Sequence, residues 1–190
     1  MSGAARRRGV DIGDAVTAAA RTGLEPAGQI VPNGPARESS PSVRLRPANA
    51  ADCQRAWQWR NDPETRAASF ESAEIPWDTH RRWFADTLLR EDRRLFIVEV
   101  NGTPAGTTRL DIVGAEATVS IHLACEWRGR GVGTRAVTAL ADRAFGVLGV
   151  SRLLASVKPD NHASLAAFAH AGFTRVESGS VVVLERRRDA

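Results

Sequence analysis

Tyrosine is absent from this 190-residue chain, methionine and lysine occur once each, and cysteine occurs twice. Each scarcity excludes something. Without tyrosine, no phenol is available to give or take a proton. Cys53 and Cys125 lie far apart and lack CxxC spacing, which leaves no disulfide framework and no structural zinc site. Two unpaired thiols suit a reducing compartment. No apolar run approaches the roughly 20 residues that span a bilayer. Asp11 and Asp14, following Arg6-Arg7-Arg8, interrupt what would have to be the apolar segment of an export signal. The expectation is a cytoplasmic protein with no membrane partner and no metal.

Lysine's place is taken by arginine, which supplies all but one of the 26 basic residues, the exception being Lys158. The net charge of +4 is modest for this length, and the arginine bias reports a GC-rich coding sequence rather than a polyanionic partner. No basic stripe with interleaved aromatics runs along the chain, so nucleic acid is not an expected partner.

What remains is the composition of a globular protein, 43% hydrophobic and 25% charged, long enough for one domain. Residues 1–42 are rich in Gly, Ala, Pro and Ser and contain no aromatic residue. They read as a flexible tail with room for a short helix near Asp14–Arg21, offering too little apolar surface to offset ordering entropy. The folded domain is expected over 43–190. Val43–Arg46 alternates as a short strand, and Asn49 is placed to cap a helix running to Arg60, with Cys53, Ala56 and Trp57 on its core-facing stripe. Asn61-Asp62-Pro63 breaks that helix, and a second runs from about Trp77 to Leu89 with Asp78 near its start. Leu95–Val100, Thr107–Val113 and Ala117–Ala124 form a meander, turned by Asn101-Gly102 and Gly114. Its third strand puts Val119, Ile121 and Leu123 on one face, and Ser120, His122 and Ala124 on the other. A helix follows with Val137, Leu140, Ala141, Ala144 and Leu148 in one stripe, ended by Gly149. A strand over Leu153–Val157, a helix over Asn161–Ala171 closed by Gly172, and strands over Phe173–Val176 and Val181–Leu184 complete the order.

The informative segment is Arg128-Gly129-Arg130-Gly131-Val132-Gly133-Thr134, between a strand and the longest helix. Glycines let a backbone bend tightly against a ligand. The helix that starts there points unpaired N–H groups and its positive dipole end into the turn, which suits phosphate. Arg128 and Arg130 would add charge. A P-loop requires Gly-Lys-Ser/Thr, which is missing. Gly131-Val132-Gly133-Thr134-Arg135-Ala136 fits a dinucleotide GxGxxA loosely, but a meander precedes it and no acid follows at the right distance. The pyrophosphate of coenzyme A fits the surrounding strand order. A turn that merely starts a helix is the plain alternative.

With a second motif the chain resembles the GNAT acetyltransferase superfamily. The loop Arg128–Gly133 looks like its (R/Q)xxGx(G/A) pyrophosphate loop, and Asn161-His162-Ala163-Ser164 with Phe168 and Gly172-Phe173 looks like its later N-x-x-S/A helix. The resemblance covers about Val43 to Leu184. It implies an α/β (α+β) fold with a mixed, mostly antiparallel sheet of about seven strands, flanked by four helices and splayed between strands 4 and 5. It also implies acetyl-CoA as cosubstrate. Backbone groups of Leu123, Ala124 and Cys125 would pair with the pantetheine arm, and amides of Arg128 to Thr134 (Gly129, Arg130, Gly131, Val132 and Gly133 between them) would hold the pyrophosphate. Asn161, Ser164 and Phe168 would border the coenzyme from the far side, although Asn161 also suits a plain helix cap.

The chemistry implied is direct attack of a neutral amine on a thioester. A base takes the amine's proton, and an acid assists a thiolate that already leaves well. Family members commonly use a tyrosine as that acid; here Phe168 falls at its usual place, so Ser164, water or the departing amine proton would substitute. For the base, His122 faces away from the apolar side of its strand, and a histidine's ordinary pKa of about 6.5 suits proton transfer near neutrality. His80, on the helix expected to edge the acceptor site, competes with it, and a relay through Glu74 or Glu99 is a weaker alternative. Trp59-Arg60-Asn61-Asp62-Pro63 with Ile75 and His80-Arg81-Arg82-Trp83-Phe84 resembles the branch that acetylates nucleotide-linked amino sugars. It assigns Trp59 to stacking, Arg60 to a diphosphate, and Asn61 and His80 to the acceptor, while Trp83 reads as packing. Protein N-termini and amine antibiotics are alternative acceptors. A non-catalytic acyl-CoA-binding module is the rival of another class, and the assembly is expected to be a monomer or homodimer.

Overall fold

The computed structural model describes residues 42–188. But for Ser42, the tail expected over residues 1–42 lies outside the described residues. One seven-stranded sheet organises the rest: β1 (Val43–Pro47), β2 (Arg93–Val100), β3 (Thr103–Val113), β4 (Glu116–Leu123), β5 (Arg152–Val157), β6 (Thr174–Glu177) and β7 (Val182–Arg187). The strand order is β1-β2-β3-β4-β5-β7-β6, antiparallel throughout except where β5 runs parallel to β4. The helices are α1 (Cys53–Asn61), α2 (Pro63–Ala68), α3 (Trp77–Leu89), α4 (Val132–Gly146) and α5 (His162–His170).

Local chemistry sets these boundaries. Asn101 and Gly102 both adopt positive φ, 50° and 82°, so the β2–β3 hairpin closes in two residues and its register is fixed. Asn49 does cap, but it caps a 3-10 turn over Ala50–Asp52, in a capping box with Asp52, before α1 begins. Asp52 is further gripped by Arg46 at 2.7 Å, and Arg46 also meets Glu99 at 2.8 Å. The expected break at Asn61-Asp62-Pro63 is at once a start. Asp62 Oδ1 accepts from Thr65 N at 3.0 Å, and Pro63 takes the first helical position, where its missing N–H costs nothing. The fifth helix, α2, arises this way beyond the four expected.

The two faces of the sheet are unequal. Against α4 and α5, Leu110, Val119, Ile121 and Leu123 pack with Val132, Ala136, Val137, Leu140, Ala141, Ala144 and Phe168 in one large buried cluster. Each buried branched or aromatic side chain there contributes about 1.5–3 kcal/mol, and the alanines let α4 lie close to the strands. Toward α1 and α3 the cluster is only Ala56, Phe84 and Leu95, with Cys53, Trp83 and Leu88 at its margin. A face so thinly filled leaves room for a cavity.

Candidate active site

β4 and β5 begin side by side and then part. Their ladder pairs Glu116–Thr118 with Arg152–Leu154, and among the described residues it ends there. From Val119 on β4 and Ala155 on β5 the two strands diverge, giving the expected wedge. The glycine loop stands at its open end. Gly129 and Gly131 take φ of 71° and 70°. Gly131 is the N-cap of α4, and no side chain caps that helix. The first-turn amides of Val132, Gly133 and Thr134 are those an α-helix leaves without a partner in its own ladder. Such a cradle suits an anionic group, and a β-carbon at Gly133 would lie 3.6 Å from Leu123 Cδ1, so the first turn of α4 packs on that side chain of β4.

Several sequence assignments change here. Arg128 does not offer its charge to a phosphate. Its buried guanidinium donates from Nε to Leu123 O (3.0 Å), from Nη1 to Glu64 (2.7 Å), and from Nη2 to Asp62 (2.7 Å) and Thr65 Oγ1 (2.8 Å). Burial would raise the Asp62 carboxyl's pKa, but the bonds from Arg128 and Thr65 outweigh it and hold the group below its ordinary range. The edge at Leu123–Cys125 is also less open than expected. Leu123 O receives Arg128 and Cys125 O accepts from Arg128 N (3.2 Å) as the chain turns away, while Ala124 N donates to Ala105 O (2.9 Å) on the β3 side, away from the wedge. The cations beside the loop are Arg130, over the Trp127 ring at 5.8 Å, and Arg135, whose Nη2 donates to Arg130 O at 3.0 Å. Arg135 was not among the expected site residues.

Beyond the wedge, Asn161 does what a plain cap does: Oδ1 accepts from Ser164 N at 3.1 Å. Ser164 is fully enclosed in the first turn of α5, so its hydroxyl is not on the surface of the wedge as an acid would be. Phe168 is likewise fully buried, edge-on to Phe173 at 4.9 Å, and belongs to the core rather than to a coenzyme surface.

On the thin face of the sheet lies a cavity of about 370 Å³. Thr107 and Arg109 of β3 and Ser120 and His122 of β4 form its floor, in cross-strand pairs Thr107–His122 and Arg109–Ser120. Ala56 and Arg60 of α1 make one wall, and Thr79, His80 and Trp83 of α3 another. The segment carrying Glu71, Ala73, Glu74, Ile75 and Pro76 closes the remainder. His122 and His80 therefore line one cavity. His80 packs against Trp83 and Phe84 with ring centroids 5.4 and 5.7 Å away. Arg60 is buried, and its Nη2 donates to Glu71 O at 2.9 Å.

Two residues assigned to the acceptor, Asn61 and Trp59, are not among the cavity's lining residues. Asn61 is a clamp: its amide donates to Ile75 O (2.8 Å) and accepts from Ile75 N (2.9 Å), and Trp57 Nε1 donates to the same carbonyl. It shapes the cavity by pinning its cover. Trp59 is half-buried on α1 but is not among the cavity's lining residues. The most informative omission was Arg109, a buried guanidinium 2.8 Å from Asp111 and 5.5 Å from the Trp83 ring centroid. Asp111 also receives Arg93. The register set by the tight β3–β4 turn would have revealed it, because that register carries Arg109 to the same face as His122.

Among the described residues, no group of three or more His, Cys, Asp or Glu could hold a metal ion, and no helix is long and apolar enough to cross a membrane. Over 139 residues the chain is 27% identical to the spermidine N(1)-acetyltransferase of Escherichia coli K12, covering 72% of this chain and 75% of that one. Its fold superposes on an aminoglycoside acetyltransferase in complex with coenzyme A and kanamycin, with a TM-score of 0.68, 18% identity, and 77% and 95% of the two chains covered. A spermidine N-acetyltransferase from Vibrio cholerae in complex with CoA and spermine gives a TM-score of 0.70 at 18% identity, over 76% and 95% of the chains. The acetyltransferase (GNAT) domain model matches residues 42–174, so the chain belongs to the GNAT acetyltransferase family.

Proposed function

We propose that this protein transfers the acetyl group of acetyl-CoA to the primary amine of a small molecule that also carries an anionic group, a nucleotide-linked amino sugar being the best-fitting class. Acetyl-CoA supplies the activated acyl group. The first-turn amides of α4, with Arg130 and Arg135 beside them, bind and orient its pyrophosphate. The acceptor amine enters the cavity, where His122, on the strand that borders the wedge, takes up the proton the amine must lose. Thr107 and Ser120 flank it on the floor, and Trp83 and Leu95 help to exclude water.

The observation that carries the acceptor class is the pair of buried arginines, Arg60 and Arg109, lining the cavity. Guanidinium groups form paired hydrogen bonds with phosphate oxygens. A polycation entering the same space would meet guanidinium groups on two sides, that of Arg109 partly balanced by Asp111. A polyamine or aminoglycoside, the ligands named for the relatives, remains the second reading. The exposed carboxylates Glu71 and Glu74 on the cavity cover favour it.

Release of free thiol from acetyl-CoA, followed with a panel of amines, separates these. The proposal expects kcat/KM for a nucleotide-linked amino sugar to exceed that for spermidine or kanamycin by at least about tenfold, or roughly 1.4 kcal/mol. Higher efficiency with the polycations reverses the assignment. Coenzyme binding with no turnover on any amine would make the protein a binding module.

A further inference from the structure

We infer that α2 is a strap across the wedge, tied to the end of β4 by Arg128 and to the end of β5 by Lys158, and that these two side chains set the width of the gap that receives the coenzyme. The inference rests on the coenzyme reading of the wedge and adds two positioning residues to it.

Among the described residues the ladder between the diverging strands is only three residues long on each side, so it does not hold their far ends together. The short helix α2 reaches both. At its start, Asp62, Glu64 and Thr65 receive the Arg128 guanidinium, which also holds Leu123 O at the last residue of β4. At its end, Ala67 O accepts from Lys158 Nζ at 2.8 Å, one residue beyond β5. Each tie suits its end of the helix. The carboxylates sit in or beside the first turn, where the dipole favours negative charge, and the ammonium meets a last-turn carbonyl that lacks a helical partner. The only lysine of the chain stands at the second tie.

The strap also joins the two halves of the site. Asp62 follows directly on Asn61, which clamps Ile75 on the cavity cover. Holding α2 in place therefore holds the gap and the cavity in fixed relation, and a preformed gap spares the coenzyme the cost of ordering it. The assigned role differs from a phosphate contact: Arg128 acts on the coenzyme through α2 and not by touching it.

Titration calorimetry of coenzyme A into the full chain tests this without an acceptor. Lys158→Gln should weaken binding about two- to fivefold, and Asp62→Asn about three- to tenfold, within the net worth of one ordinary hydrogen bond because the ties act on the coenzyme indirectly. Lys158→Arg, which keeps a donor of similar reach, should bind within about twofold of the parent. Hydrogen exchange at the amides of 119–122 and 155–157 should quicken in Lys158→Gln, because the strand ends loosen. Reduced melting temperatures with unchanged coenzyme affinity and unchanged exchange would reduce the ties to plain stabilisation and overturn the strap. Failure of the parent chain itself to bind coenzyme A would instead overturn the reading of the wedge.

Discussion

Gly106 on β3 and His122 on β4 approach so closely that a β-carbon added to Gly106 would lie 2.1 Å from the His122 carbonyl oxygen. No real side chain fits that distance. The closeness of the two strands at this point depends on a missing methyl group, and it fixes where the candidate base stands.

Gly106→Ala should accordingly push β4 outward. We expect a loss of stability of about 1–3 kcal/mol, the usual cost of overpacking, and a fall in kcat larger than that loss of stability explains. Thermal melts beside steady-state kinetics check it. A variant with parental melting temperature and parental kcat would show the backbone to be more accommodating than the contact implies.

Replacing His122 by Gln keeps a polar side chain of similar size but removes the titrating imidazole. The expected outcome is a drop in kcat/KM of about 10²–10⁴, the contribution of a positioned base, with loss of the acidic limb of the pH profile. His80→Gln should be milder and keep that limb. The reverse ranking would transfer the role to His80.

Arg109→Gln addresses the acceptor. It should raise KM for a nucleotide-linked amino sugar by roughly tenfold, as loss of a hydrogen bond to a charged group would, while KM for acetyl-CoA stays near the parental value. Improved use of spermidine by the same variant would accord with a floor that repels polycations. An unchanged KM would remove Arg109 from the acceptor site.

The loop glycines should behave differently from one another. Gly131, at φ 70°, would bring a β-carbon to 3.8 Å from Arg135 Nη2, an ordinary contact, so Gly131→Ala suffers mainly the backbone penalty of about 1–2 kcal/mol. Gly131→Asp adds bulk and negative charge against the phosphate and should abolish coenzyme A binding. Gly133→Ala meets its nearest neighbours at 3.6 and 3.8 Å, ordinary contact distances, and should bind nearly as the parent does. Calorimetry on the three variants reads the ranking directly, and normal binding by Gly131→Asp would contradict the cradle.

Acid should weaken the protein through Asp52 and Asp62, whose carboxyls are both held below the ordinary range. For Asp52 the Arg46 bond is the leading cause and exceeds the opposing effect of burial; for Asp62 burial opposes and the bonds from Arg128 and Thr65 prevail. A depressed folded-state pKa means that the stabilisation is complete above the unfolded value of about 4. It is lost as pH falls through the lower, native value. Urea denaturation from pH 7 downward should show stability steady to about pH 5 and falling below it, with a shallower fall in Asp52→Asn.

Where the information was local, the sequence could be read directly. Asn101-Gly102 announced its hairpin, and alternation along Val119–Leu123 placed His122 opposite the packed face. The glycine loop was legible as a motif, and the parting of β4 from β5 came with the family resemblance. What escaped was long-range. Arg128 finds Asp62 and Glu64 more than sixty residues away, and nothing in an RxxGxG segment indicates that its first arginine is already engaged. Asn61 likewise reaches fourteen residues to Ile75. Phe168 was assigned by analogy with a tyrosine's usual place, yet a phenyl ring lacks the hydroxyl that draws such a side chain to a polar surface, and it packs into the core.

The parting of β4 and β5 also bears on handling the protein. Two stretches of strand, 119–122 and 155–157, face a gap where a sheet would ordinarily supply a neighbour. Bare strand edges are templates for pairing with another chain. A molecule lodged between them would mask that template, so purification and storage in the presence of coenzyme A should suppress clumping on warming, and light scattering during a heating ramp would register the difference.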